Sequence, residues 1–156
     1  MEPKNTEKYE AYKAMKMNLS KALKAGFYYQ AIFIEYAIIE DRCLSALKHA
    51  GVKYVESNGN EIKLANKLRK MRGNPAFENN YVRKRITYDL IDKITEWKRD
   101  RDILIHDLAK IPYNHESIKE IAERGKIIVD ELDNKVRSIN RYHDKQCRES
   151  LSHEFK

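Results

Sequence analysis

Two cysteines in 156 residues, Cys43 and Cys147, are too few and too far apart for a disulfide framework or a cysteine zinc site. Glycine (5) and proline (3) are scarce, which favours long helices over a turn-rich β fold. No apolar run approaches the roughly 20 residues that a membrane-spanning helix needs. The opening Met-Glu-Pro-Lys-Asn-Thr-Glu-Lys is charged and lacks the apolar heart of a secretory signal. There is no glycine-rich phosphate loop, no His-Glu-x-x-His pair and no carboxylate cluster at metal spacing. These absences lead us to expect a cytoplasmic protein with free thiols, no membrane partner, no metal and no resident cofactor.

What is present is charge and helical periodicity. Charged residues make up 35% of the chain, with a formal net charge of +7. Such an excess favours polyanions such as RNA through attraction and counterion release, although a solvated basic surface has the same composition. At 42% hydrophobic residues, the length suits one domain, which we place at 1–145 with a polar tail at 146–156.

The fold expected is all-α, a helical bundle of about five helices in up-and-down order. Helical spacing runs over 6–25 (Tyr9, Tyr12, Met15, Leu19, Leu23) and over 27–50, where Gly51 supplies a stop. A shorter helix is expected over 61–71 and a long one over 81–109, ended by Pro112. The last starts near Asn114, a good N-cap, and carries Ile118, Ile121, Ile128, Leu132, Val136 and Ile139. Beyond about residue 140 the chain is polar, either an exposed helical extension or a frayed end. Lysines on the first helix either touch RNA or form a solvated face. Tyr28, Tyr29 and Tyr36 either stack on bases or pack in a core or dimer seam. His49, His115, His143 and His153 have no partner at catalytic or metal spacing and read as surface residues.

One stretch stands out. Ile86, Leu90, Ile94, Trp97, Leu104 and Leu108 share a helix face, and Arg101 fills the slot between Trp97 and Leu104. A guanidinium in an apolar stripe is costly unless it is paired or holds an anion. Glu35, on the nearly all-apolar segment 31–39, is a candidate partner for Arg101; alternatively it reaches the surface or pairs elsewhere. His106 follows five residues after Arg101, a rotation of about 140° and a rise of about 7.5 Å on a helix. Asp102 lies four residues before His106, where it can orient the imidazole. Metal-free RNA cleavage needs a base for the 2′-hydroxyl, an acid for the leaving oxygen and a cation for the phosphorane charge. Histidine and arginine supply these roles. Arg69, Lys70 and Arg72 lie in the densest basic region, with Arg83, Lys84 and Arg85 beyond it, and offer contacts to a phosphate backbone. Tyr113 and Asn114 follow the motif closely enough to touch a base or phosphate.

Arg101-x4-His106, with the polar Asp102 directly after the arginine, resembles the Arg-x(4–6)-His signature of the HEPN superfamily. The detailed likeness covers about 25 residues, and the architectural likeness covers 5–145 loosely. The resemblance implies a homodimer that brings two motifs around one groove. It also implies a metal-independent endoribonuclease of a toxin–antitoxin or antiviral defence system, with an antitoxin or other defence protein as partner. Inactive members bind RNA or nucleotides or serve as protein-interaction modules, which is the alternative function. Some members carry a tyrosine two residues after the histidine as a modification target; here that position is Leu108.

Overall fold

Amphipathic stripes and side-chain caps between them organise the described residues into helices. The structure, a computed structural model, describes residues 5–110, 112 and 114–154. Among them are seven helices: α1 (Asn5–Ala25), α2 (Tyr28–His49), α3 (Leu64–Met71), α4 (Pro75–Glu78), α5 (Tyr81–Arg85), α6 (Tyr88–Asp107) and α7 (His115–Glu154). The only pairing of extended backbone described is an isolated bridge between Val55 and Glu61. The fold is an all-α helical bundle, and no described helix is long and apolar enough to cross a membrane.

Two helices beyond the expected five arise from local caps. Asn74 accepts hydrogen bonds from the backbone N–H groups of Ala76 and Phe77, with Pro75 opening α4. Asn80 caps α5 through Val82 N. The helix expected over 81–109 is interrupted because Ile86 adopts an extended conformation, and Thr87 Oγ1 then caps α6 through Leu90 N at 3.3 Å. The polar end of α7 is a helical extension through Glu154, exposed over residues 141–152.

The chain divides into two compact units, and α2, α6 and α7 contribute residues to each. The first takes residues up to Ile38 and Trp97–Ile127. Its core contains Leu19, Ala31, Ile32, Ile38, Trp97, Ile118 and Ala122. Trp97 Nε1 donates to Ile121 O at 2.9 Å and fixes α6 on α7. The second takes Ile39–Glu96 and residues from Ile128 on. Its core contains Leu47, Leu64, Met71, Phe77, Ile86, Leu90, Ile94, Leu132 and Val136.

Candidate functional site

The apolar stripe of α6 leaves the core where the motif begins. Ile86, Leu90, Ile94 and Trp97 are fully buried, Leu104 is half-buried and Leu108 is 48% exposed. Arg101 stands at that transition, with its side chain 17% exposed. Its guanidinium carbon lies 4.3 Å from the centre of the Tyr36 ring and 5.9 Å from that of Phe33. Flat stacking on aromatic faces suits arginine and offsets part of the cost of desolvating its charge. Nη1 donates to Asp102 Oδ1 at 3.0 Å, while the buried Nε has no hydrogen-bond partner.

Asp102 is engaged by Lys98 as well as by Arg101. Partial burial works against its charge, but the hydrogen bonds from Lys98 and Arg101 prevail, so its carboxyl titrates below the usual aspartate range. Neither of these bonds involves His106. That imidazole is exposed, and its Nε2 lies 2.9 Å from Lys110 Nζ, one helical turn further on. The structure therefore joins Arg101 to Asp102 and leaves His106 standing outward.

Glu35 does not pair with Arg101. It is fully buried, and neither carboxylate oxygen has a hydrogen-bond partner. Its place on the buried stripe of α2 aims it at Gly125 of α7, where a Cβ would collide with Oε2. Arg101 meets the adjacent Asp102 instead. Burial pushes the Glu35 carboxyl up to about 9, against the pull of Lys126, so the group is protonated at neutral pH. Glycine in a helix interior costs about 1 kcal/mol relative to alanine, and here its missing Cβ makes room for the Glu35 side chain.

A cavity of about 590 Å³ lies in the same unit, lined mainly by apolar side chains including Ile103, Leu104, Leu108, Ile118 and Ile121. Neither Arg101 nor His106 lines it. Asn114 does, but its side-chain oxygen also accepts from Ser117 N at 3.1 Å and caps α7. Tyr113 lies outside the described residues.

Arg69, Lys70 and Arg72 belong to the second unit. Arg72 is held by Asp92 and stacks 4.8 Å from the centre of the Tyr88 ring. Arg83 stacks on the same ring at 3.7 Å and binds Glu78 at 3.2 Å. Glu78 also accepts from Tyr88 Oη at 2.5 Å and Gly73 N at 3.0 Å. Those bonds, Tyr88's first, hold its carboxyl below the usual glutamate range. Sequence spacing gives no sign of this hub, because its members come from the end of α3, from α4, from α5 and from the start of α6.

Two histidines expected to stand alone do not. The His49 and His143 rings meet edge to face at 5.1 Å, and Cys147 Sγ is 3.9 Å from His143 Nδ1. Only the His143–Cys147 spacing of four residues was visible in the sequence. Burial, opposed by a hydrogen bond with Asn140 and reinforced by His143, lowers the His49 pKa. No three histidine, cysteine or acidic residues gather as metal ligands among the described residues. No family model, curated protein or solved structure matches this chain.

Proposed function

We propose that the chain is a metal-independent endoribonuclease that works as a homodimer, with Arg101 and His106 from both subunits around one groove. The carrying observation is Arg101 itself. Its cation is held half-buried against Tyr36, braced by Asp102, with a buried Nε that has found no acceptor, and a solvent-facing His106 follows on the same helix. A braced guanidinium of this kind is preorganised for a phosphate oxygen. The imidazole is exposed, where an RNA substrate and water can reach it. One subunit presents its arginine and histidine in different directions, so a two-fold partner would complete the set of acid, base and cation. Exposed Phe33 and Ile103, 58% and 54% accessible, supply apolar surface for that contact. Asp102 acts on Arg101 in this reading, holding the fork in place.

The test is digestion of a mixed RNA substrate in EDTA. Wild type leaves 2′,3′-cyclic phosphate ends, and His106→Ala abolishes cutting while its far-ultraviolet circular dichroism and melting temperature stay those of the parent. Cleavage that survives His106→Ala, or that requires magnesium, would refute this assignment. One observation favours a second reading, an inactive RNA- or nucleotide-binding or protein-interaction module. Arg101 already has a carboxylate partner, and His106 has no acid to orient it. That reading predicts RNA or nucleotide binding without turnover. A cytoplasmic defence role with an antitoxin as partner belongs to the same proposal.

A further inference from the structure

The formal excess of positive charge is confined to one segment. Residues 63–88 carry eight lysines and arginines against the single acid Glu78, while the other 130 residues carry 23 basic and 23 acidic residues. The +7 of the whole chain therefore resides in α3, α4, α5 and the start of α6.

Within that segment the cations fall into two groups. Lys67 is fully buried and held by Glu61 and Glu40. Arg72 and Arg83 are paired with acids and enclose the Tyr88 ring. These three build the scaffold: Lys67 pins α3 to α2, and the Glu78–Tyr88 hub ties the end of α3 to α5 and α6. The other five, Lys63, Arg69, Lys70, Lys84 and Arg85, have no carboxylate partner among the described residues. Lys63, Arg69, Lys84 and Arg85 are exposed, and Lys70 is half-buried. Arg69 bonds only the neutral Asn66, at 3.1 Å. A protein that merely solvates its surface intersperses acids among such cations. Here the segment's one acid is used on the scaffold, and five cations within 23 residues of chain are left without an acid, four of them exposed.

We infer that residues 63–88 form a docking surface for the sugar–phosphate backbone of single-stranded RNA, with Lys63, Arg69, Lys70, Lys84 and Arg85 as the contacts and Arg72 and Arg83 as positioning residues. The choice of RNA among polyanions rests on the ribonuclease reading; the surface itself rests on the charge distribution. Its contacts are to phosphates, so binding is salt-dependent and indifferent to base sequence.

The experiment measures binding of a fluorescent single-stranded RNA 20-mer to the full chain carrying His106→Ala, so that cutting does not consume the probe. A second protein adds Lys63→Gln, Arg69→Gln, Lys70→Gln, Lys84→Gln and Arg85→Gln. A third instead adds Lys13→Gln, Lys21→Gln, Lys24→Gln, Lys53→Gln and Arg148→Gln, five exposed cations outside the segment. The segment variant is expected to bind at least about tenfold more weakly, and the slope of log affinity against log salt to fall by about 0.7 for each phosphate that is no longer neutralised. The control, with the same net charge, keeps the parental slope. Equal weakening in both variants would overturn the inference, because affinity would then follow net charge alone. Absence of RNA binding by the His106→Ala protein would overturn it too. So would unchanged RNA binding by the segment variant together with loss of its binding to phosphatidylserine vesicles. If the RNA is bound through the segment yet wild type leaves it intact, the surface stands and the ribonuclease reading falls.

Discussion

The two units treat buried charge in opposite ways. In the second unit Lys67 is wholly buried, yet two carboxylates reach it, and Asp133 is met by Arg42 at 3.8 Å and Arg137 at 3.1 Å. In the first unit Glu35 is wholly buried with no hydrogen-bond partner, and Arg101 keeps one buried N–H unmatched. The first unit also carries seven of the ten large apolar side chains exposed among the described residues, including Phe33, Ile103, Leu108 and Ile127. Buried polar atoms without a hydrogen-bond partner occur in both units, Tyr81 Oη and Asn140 Oδ1 among them in the second. The difference lies in how the wholly buried Lys67 and Glu35 are met and in the apolar surface that the first unit exposes.

The strongest way to sharpen the comparison is to break the satisfied charge. Lys67→Ala removes the buried stem and leaves Glu40 and Glu61 facing each other without their cation. Those carboxylates are 32% and 47% exposed and recover some hydration, so the loss is set at about 3 kcal/mol, below the upper range for a broken buried pair. Lys67→Met keeps the packing but leaves the same two carboxylates without their cation, and is expected to cost about 2 kcal/mol. Urea denaturation of both variants measures this. Equal losses would show that charge pairing, and not the buried stem, holds α3 in place.

The unsatisfied charge gives a smaller effect with a distinctive pH signature. Between about 4.5 and 9 the folded chain keeps a proton on Glu35 that the unfolded chain has released. Its neutral burial is therefore most favourable below 4.5, and stability is lost as pH rises toward 9. The expected decline is about 1.4 kcal/mol per pH unit. The interval from pH 7 to 8 isolates it. His49, whose folded pKa is depressed, contributes below about 6.5, and Cys43, pushed up to about 12, contributes above about 9. Urea unfolding at pH 7.0 and 8.0 should show the decline in wild type and its absence in Glu35→Gln, which keeps the shape and cannot ionise. Parallel losses in the two proteins would mean that Glu35 finds water or a cation in solution, and the contrast between the units would disappear.

How much of this was legible depends on the range of each interaction. The helices over 6–25 and 27–50 match α1 and α2 to within a residue or so, because their apolar stripes are long and local. The segment over 81–109 was read as one helix because Ile86 and Leu90 keep helical spacing across a break set by one extended residue and the Thr87 cap. The Asn74-Pro75 and Asn80 caps were present in the sequence and define α4 and α5, helices too short for any stripe. At the site, the half-buried place of Arg101 was readable from the stripe. Its partner was not, since spacing puts Glu35 on a nearly all-apolar segment, leaves open whether it reaches the surface, and does not show that Gly125 leaves it a hollow. The Asp102–His106 spacing allowed a pair, but Lys98 and Arg101 engage the carboxylate. A four-residue spacing permits a contact without selecting among several.

That hollow provides the smallest and most specific test. Alanine at position 125 would gain about 1 kcal/mol of helix propensity. Its Cβ would also press on Glu35 Oε2 and approach Trp97 Nε1 to 2.8 Å, beside the indole that donates to Ile121 O. Overpacking of this kind costs about 2 kcal/mol, so Gly125→Ala should destabilise by about 1 kcal/mol net. Shortening the acid with Glu35→Ala costs stability by itself through the space it empties. In that background Gly125→Ala should cost less, because the contact with the carboxyl is gone while that with Trp97 Nε1 remains. The reduced cost, read from the thermal midpoints of the four proteins in the double-mutant cycle, is what contact between these two positions requires. If Gly125→Ala has the same effect with and without Glu35, the carboxyl is not seated against α7, and the raised glutamate pKa would need another cause.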